Sequence, residues 1–255
     1  GFVIFNVVSN TERSRDIQKL EKSIAVLPFE NMSVDEEYSH MGDAITDEII
    51  LELQKIKEFD RVLSRTSTMQ YKDNRPTIPE IAEKLGVNYI IEGSIQRHKE
   101  DVSIRVQVIR AIHEDHVWGD EYDGKWEDIF SIQDEIALKV ADELKAVLSP
   151  EEIRKIEKNP TENLEAYNLY LKGRYFWNKR TVEGFQMGIK YFDQAIEEDP
   201  VYSLAYAGIA DCNNLLGWHD LLPSKEVYPK AKAAAEKALM MDKTLSEAHA
   251  SLAYV

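Results

Sequence analysis

The stretch that decides the fold is NYIIEGSIQRHKEDVSIRVQVIRAI, residues 88–112. Its second half alternates between apolar and polar residues; the apolar members are Val102, Ile104, Val106 and Val108, and the polar members are Ser103, Arg105 and Gln107. A period of two is typical of a strand with one buried face. The polar segment RHKED separates this strand from the apolar run NYIIEGSIQ. We therefore predict a β-hairpin.

Two strands and a helix are predicted upstream of the hairpin. Residues 24–29 form a short apolar run that contains Pro28, which indicates a buried strand, and residues 61–65 are a second strand candidate. Between them an apolar stripe at helical spacing predicts a helix over residues 38–56. The members of the stripe are Met41, Ile45, Ile49, Leu53 and Ile56.

Helices are also predicted on either side of the hairpin. Thr77 and Glu80 have capping-box spacing, and Gly86 is placed to end the helix that they begin. After the hairpin, VWGDEYD at 117–123 is a further strand candidate. Residues 126–148 form an amphipathic helix, whose apolar face comprises Ile129, Ile132, Ile136, Val140, Leu144 and Val147.

These elements divide the chain into an α/β part and an all-helical part. The order βαβαββα, with the optional further strand, predicts one α/β domain with a mixed sheet over residues 23–148. Residues 149–163 are polar and carry cap residues at Ser149 and Glu152, so we expect a short helical linker. Every periodic segment in residues 164–255 is helical.

The helical part repeats itself. The segment at 189–200, IKYFDQAIEEDP, shares its pattern of small and large residues with AKAAAEKALMMDK at 231–243. A small-residue helix precedes each segment, around Gly173 and Gly208, which are 35 residues apart. SEAHASLAYV at 246–255 begins a third copy. A period in the mid-thirties built from helix pairs predicts an all-α solenoid.

Charge excludes two classes of partner for the α/β domain. The chain has a net charge of −15; residues 23–148 carry 27 acidic and 14 basic residues, a net of −13, whereas residues 164–255 carry 12 and 10, a net of −2. So acidic a domain is repelled by nucleic acid and by anionic lipid. The single cysteine, Cys212, excludes an intramolecular disulfide.

The first eight residues, GFVIFNVV, are strongly apolar. They are too few to span a bilayer, which needs about 20 residues, and no charged segment precedes them as in an intact signal peptide. Two interpretations stay open: the end of a transmembrane helix, with residues 1–22 as its end and linker, or a first strand.

The helical part resembles tetratricopeptide repeats (TPR). The small positions of that family match Gly173, Ala195, Gly208 and Ala238, its large aromatic position matches Phe192, and its helix-ending proline matches Pro200. The second copy departs from the pattern, because GWHDLLPSKEVYP inserts about ten residues between its helices and Lys243 replaces the proline. The resemblance implies about two and a half repeats over residues 164–255.

The α/β part resembles the TolB-like amino-terminal domain. The matching segments, in order, are IAVLPFENMS, MGDAITDEIILEL, LSRTST, IAEKLGVNYIIEGSI, IRVQVIRA and VWGDEYD with DIFSIQDEIA. This domain precedes TPRs in bacterial membrane-anchored regulators, including CadC-like transcription factors and cyclase-linked proteins. The resemblance implies a non-catalytic domain without cofactors, an upstream transmembrane helix that residues 1–8 would end, and a periplasmic location; the alternative is cytoplasmic.

Three features of the α/β part are candidate sites. The loop in SIAVLPFENMS, residues 23–33, follows a strand as phosphate loops do, but Pro28 lacks an amide and acids follow at Asp35, Glu36 and Glu37, which favours a structural corner. HEDH at 113–116 could suggest a metal pair, but a solvated turn is favoured. Glu92 is the one acid that an apolar context could turn inward.

Four acids on the first long helix, Asp43, Asp47, Glu48 and Glu52, could suggest paired carboxylates for acid–base chemistry. Their positions opposite the apolar stripe favour a solvated helix face instead. We therefore assign no catalytic, cofactor-binding or metal-binding residue.

The TPR resemblance points to a partner-binding surface. In such arrays the first helix of each pair lines the concave face, and the matching residues here are Asn168, Lys172, Tyr175, Asn178, Tyr202, Tyr206, Cys212 and Asn213. Amides and aromatic rings suit a protein or peptide partner, although half of them could instead pack between repeats. Tyr170, Trp177 and Trp218 are expected in the core.

The leading hypothesis is a non-catalytic sensor or protein-interaction segment of a bacterial signalling or regulatory protein. The alternative is a soluble cytoplasmic TPR adaptor or scaffold. A third hypothesis, an enzyme, would need a site between the two domains, for example Glu92 together with a histidine.

Overall fold

The computed structural model describes residues 21–255, so the expectations for residues 1–8 lie outside the described residues. Its contacts divide the chain into two compact units, one ending at Lys158 and the other running from Asn159 to Val255. Among residues 21–255, no helix combines the length and the apolar character that crossing a membrane requires.

The first unit contains a mixed sheet of six strands. The strands are β1 (Ser23–Val26), β2 (Glu30–Asn31), β3 (Arg61–Val62), β4 (Tyr89–His98), β5 (Asp101–Arg110) and β6 (Asp115–Lys125). Their order is β3-β1-β4-β5-β6, and β2 also pairs with β4. Strands β1 and β2 run parallel to β4, whereas β4, β5 and β6 are antiparallel. The predicted mixed sheet, the hairpin and the additional strand are therefore confirmed.

The α-helices described between residues 21 and 158 are α1 (Met41–Gln54), α2 (Arg65–Thr68), α3 (Ile78–Leu85), α4 (Ile129–Glu143) and α5 (Pro150–Ile156). The predicted capping box of Thr77 and Glu80 begins α3, and Gly86 ends it in the left-handed conformation at φ 66°. A second capping box, Ser149 with Glu152, begins the short helix predicted after the α/β domain.

The two faces of the sheet differ in how much of each is covered by helices. Helices α1 and α4 pack on one face. On the other face, α3 covers only the beginning of β4, where Ile81 packs with Leu27 and Ile90. Because side chains alternate along a strand, β4 continues this second face with Glu92 and Ser94. Among the elements described from residue 21 onward in this unit, no helix lies over this polar area of the sheet, and we call it the open face.

The second unit consists of helices in the described chain. They are α6 (Leu164–Trp177), α7 (Val182–Glu198), α8 (Ser203–Trp218), α9 (Ser224–Met241) and α10 (Ser246–Leu252). Consecutive helices pack on one another, as expected of helices joined by short loops. The expected ten-residue insertion between α8 and α9 is wrong: most of that segment lengthens the two helices, and only residues 219–223 separate them.

One aromatic ring joins three helices of this unit. Phe192 on α7 is fully buried. A Cβ atom added to Gly173 on α6 would lie 2.5 Å from this ring, and one added to Gly208 on α8 would lie 2.6 Å from it. The two glycines that mark the sequence repeat therefore make room for the same ring, one on each side.

This packing predicts the effect of Gly208→Ala. The new methyl group collides with a ring that cannot move away because Gly173 confines its other side, so we expect a loss of about 2 kcal/mol in the free energy of unfolding. Urea denaturation measures it. Phe192→Leu in the same chain should recover part of the loss in a double-mutant cycle. Strictly additive losses would contradict the shared-ring packing.

Candidate functional site

The loop that follows β1 uses its polar groups internally. The amide of Phe29 donates to Thr46 Oγ1 at 2.9 Å, and the amide of Ser33 donates to Asn31 Oδ1 at 3.0 Å. Ser33 Oγ in turn accepts the amide of Arg97 at 2.9 Å. These bonds fix the loop against α1 and β4, as a structural corner requires, and they occupy the amides that a phosphate would need.

No sequence pattern indicates the role of Arg97, whose amide binds this loop at Ser33. Its guanidinium group is buried between the rings of Tyr38 and Trp126, 4.7 Å and 3.9 Å from their centroids. Its Nε donates to the carbonyl of Lys99 at 2.9 Å. A cation stacked on aromatic rings and shielded from water stabilises the contact.

The prediction that the acids of α1 form a solvated helix face is wrong for three of them. Asp43, Asp47 and Glu48 are buried. Arg65 on α2 contacts Asp47 Oδ1 through Nε at 2.9 Å and Asp43 Oδ2 through a terminal nitrogen at 3.2 Å. Lys72 adds a contact to Asp43 at 2.7 Å. We call these four residues, Asp43, Asp47, Arg65 and Lys72, the acid–arginine cluster; it fastens α2 and the following turn onto α1.

Glu52, the fourth of these acids, lies near a carboxyl group of α4. Lys55 binds Glu52 at 2.6 Å and donates to the carbonyl of Lys155 at 3.0 Å. Burial, reinforced by the charge of Glu52, raises the pKa of the half-buried Asp134 to about 7. Burial likewise raises the pKa of Glu52. Both carboxyl groups therefore lose their protons, and become negatively charged, at a higher pH than exposed carboxyl groups do.

Glu92 points to the open face rather than into an apolar core. Gln107 Nε2 donates to Glu92 Oε1 at 2.6 Å across the β4–β5 ladder. Beside them lies a cavity of about 560 Å³, whose lining includes two further ion pairs, Arg75 with Glu30 at 3.2 Å and Arg105 with Glu121 at 2.7 Å. Among the described residues that line this cavity there is no histidine, so it does not supply the pair that the enzyme hypothesis needs.

The HEDH segment connects β5 to β6. His113 lies in the turn and His116 in β6, and both are exposed. Within residues 21–255, no group of three or more potential ligand side chains is arranged to hold a metal ion.

The predicted partner-binding residues separate into two groups. Five are partly exposed: Asn168, Lys172 and Tyr175 on α6, Asn178 directly after it, and Tyr206 on α8. The other three are buried, so their assignment to a contact surface is wrong: Tyr202, Cys212 and Asn213. The Tyr202 ring packs 5.2 Å from that of Tyr170, and Asn213 Nδ2 donates to the carbonyl of Ile209 at 2.9 Å.

The tryptophans of this unit differ from expectation. Tyr170 is buried as predicted, but Trp218 is 63% exposed. Trp177 is partly exposed and lies between two guanidinium groups, with Arg180 3.7 Å and Arg174 4.5 Å from the ring. Sequence periodicity marks large apolar residues as core, and it does not register an arginine stacked on an indole.

Comparison with known proteins supports a regulatory segment. Residues 20–139, just under half of the chain, match the family described as HilA/YgeH-like transcriptional regulator, second domain. A protein named putative adenylate cyclase 3 from Rhizobium meliloti (strain 1021) is 31% identical over 234 residues, which cover 91% of this chain and 39% of that protein. The chain thus spans well under half the length of this relative.

Similarity to solved structures is weaker. A PelC dodecamer from Paraburkholderia phytofirmans gives a TM-score of 0.36 at 14% identity and covers 50% of this chain and 89% of its own. TolB from Acinetobacter baumannii gives 0.36 at 13% identity, covering 48% and 28% respectively. Lipoprotein GNA1162 from Neisseria meningitidis gives 0.32 at 14% identity, covering 41% and 80%. These TM-scores are too low for a shared fold to be inferred.

The acid–arginine cluster predicts a large effect of Asp47→Asn. The change leaves Arg65 buried with one carboxylate fewer, so we expect a loss of about 3 kcal/mol in the free energy of unfolding, measured by urea denaturation. Glu52→Gln is the matched control on the same helix, because its ion pair with Lys55 is partly exposed and contributes little. Equal losses for the two variants would contradict a structural role for the cluster.

The raised pKa of Asp134 predicts a pH-dependent stability. Its folded pKa of about 7 exceeds the ordinary value of 3.8, so the folded chain holds the proton more tightly and loses stability as the pH rises from about 4 to 7. Asp134→Asn should remove this loss and gain about 1 kcal/mol at pH 8 once solvent screening is included.

Melting temperatures at pH 4, 6 and 8 test this prediction. Asp142→Asn, at an exposed position of the same helix, should leave the pH profile unchanged. A profile that Asp134→Asn does not flatten would contradict the assignment.

Proposed function

We propose that this chain is a non-catalytic interaction or sensor segment of a bacterial signalling protein, in which TPR-type helices bind a protein or peptide. The single observation that carries the proposal is the packing of Phe192 between Gly173 and Gly208. One bulky residue of a second helix thus fills the gap between glycines of two successive first helices, which is how a stack of helix pairs buries a continuous core.

The binding surface in this proposal lies on the first helices, α6 and α8. Tyr175 and Tyr206 are partly exposed there, with Asn168 and Lys172 on the same helix as Tyr175. Rings, amides and a cation together suit an extended peptide or a partner helix, because they combine apolar contact area with hydrogen bonding. The stack of Arg174, Trp177 and Arg180 adds a cationic end to this surface.

The signalling role rests on the comparisons with known proteins. One match is to a domain family of transcriptional regulators and another is to a putative adenylate cyclase. In this proposal the α/β unit and the helices serve an output activity located elsewhere in the full-length protein. In this proposal the full-length protein is anchored to the membrane and the segment lies in the periplasm; the alternative is a cytoplasmic location.

Site-specific photocrosslinking in the full-length protein tests the proposal. A benzophenone amino acid at position 175 or 206 should form crosslinks to one partner in living cells, because these side chains lie on the proposed surface. The matched control is position 228, a partly exposed tyrosine on the second helix α9. The crosslinked species is then sought in the membrane fraction.

Two results would contradict the proposal. Equal crosslinking from position 228 would show that the first helices are not a preferred surface. A full-length protein found entirely in the soluble fraction would rule out the membrane anchor and favour the cytoplasmic adaptor.

A further inference from the structure

Strand β6 forms one edge of the sheet. Its 11 residues pair with β5 over the whole length of that strand, from Asp101 opposite Lys125 to Arg110 opposite Asp115. Within residues 21–255, no strand pairs with the other side of β6. In an antiparallel ladder every second residue directs its N–H and C=O away from its partner, so β6 presents a row of backbone donors and acceptors at this edge.

The side chains of β6 are predominantly acidic. The strand carries four acids, Asp115, Asp120, Glu121 and Asp123, and one base, Lys125, a net charge of −3. Glu121 is bound to Arg105. Asp120 and Asp123 are exposed, and neither forms a salt bridge with another described residue. The edge therefore offers negative charge to whatever pairs with it.

The two faces of β6 offer different surroundings to such a strand. On the open face two cavities adjoin β6, one of about 560 Å³ beside Gly119 and Glu121 and one of about 520 Å³ beside Asp123. Gly119, which lies opposite Gln107, lines the first cavity and contributes no side chain to it. On the opposite face the rings of Trp118 and Tyr122 are partly exposed, with centroids 6.4 Å apart.

Charge decides between a second copy of this chain and a different partner. Pairing β6 with β6 of another copy would bring two strands of net charge −3 together, and like charges on neighbouring strands destabilise a sheet. A basic strand, in contrast, would be attracted to the negative charge of β6. Its long side chains reach Glu121, Asp123 and the cavity beside Gly119, while its alternate residues cover Trp118 and Tyr122.

We propose that β6 is a docking edge for an extended segment of a partner protein, in which lysine or arginine alternates with apolar residues. The segment adds to the sheet as a seventh strand, since main-chain hydrogen bonds supply affinity and the alternating side chains supply specificity. This surface is distinct from the helical surface of the proposed function, and either can be present without the other.

A designed peptide, KVKIKVKI, tests the proposal on the full chain. We expect it to bind, as measured by fluorescence anisotropy, and to slow hydrogen exchange of the β6 amides. Glu121→Gln with Asp123→Asn should weaken binding about tenfold, because each cross-strand charge pair contributes up to ~1 kcal/mol. Asp73→Asn with Glu83→Gln removes the same charge from exposed positions outside β6 and should leave affinity unchanged.

The peptide KPKIKPKI distinguishes strand addition from charge alone. It carries the same charge but lacks two amide donors of the ladder, so it should bind far more weakly. Equal binding of the two peptides would overturn the proposal, as would protection confined to amides outside β6. Slow exchange in the peptide-free chain of the β6 amides that face away from β5, or a dimer that protects them, would show that the edge is already occupied and would overturn the proposal as well.

Discussion

Strand β4 is the element on which the first unit depends, because it hydrogen-bonds to both halves of the sheet. One edge pairs with β5; the other holds β1 at residues 89–91 and β2 at residues 94–95. The chain leaves β4 between these two pairings, after Leu27, whose amide donates to the carbonyl of Ile91 at 2.8 Å. Phe29 then turns back onto β4 at Gly93, where any Cβ atom would lie 2.5 Å from its ring.

Elements with a strong period could be predicted from the sequence. The hairpin follows from alternation in β5, and α3 from a capping box and Gly86, since each depends on residues close together in the chain. The acid–arginine cluster could not be predicted in this way. Asp47 lies on the polar side of the stripe of α1, and only the fold brings Arg65 to it. A helical pattern distinguishes apolar from polar residues, but it does not distinguish solvated acids from paired ones.

The candidate surface of the helices was predicted only in part, for a related reason. A family pattern identifies which helix faces a groove, but each helix has several faces. Tyr175 and Tyr206 remain partly exposed, whereas Tyr202 and Asn213 sit where helices contact one another. On the open face of the sheet, a residue expected in the interior lies at the surface instead. Glu92 was expected among apolar neighbours, yet its alternate position along β4 directs it to Gln107 and away from the core.

The position of Phe192 has a consequence for how this sequence can change over generations. Because its ring fills the space that Gly173 and Gly208 leave, a larger residue at either glycine is tolerated only if position 192 becomes smaller. Three positions on three helices therefore constrain one another, and the order in which substitutions arise decides which of them are viable. Among homologous sequences, these three positions should covary as a set rather than drift independently.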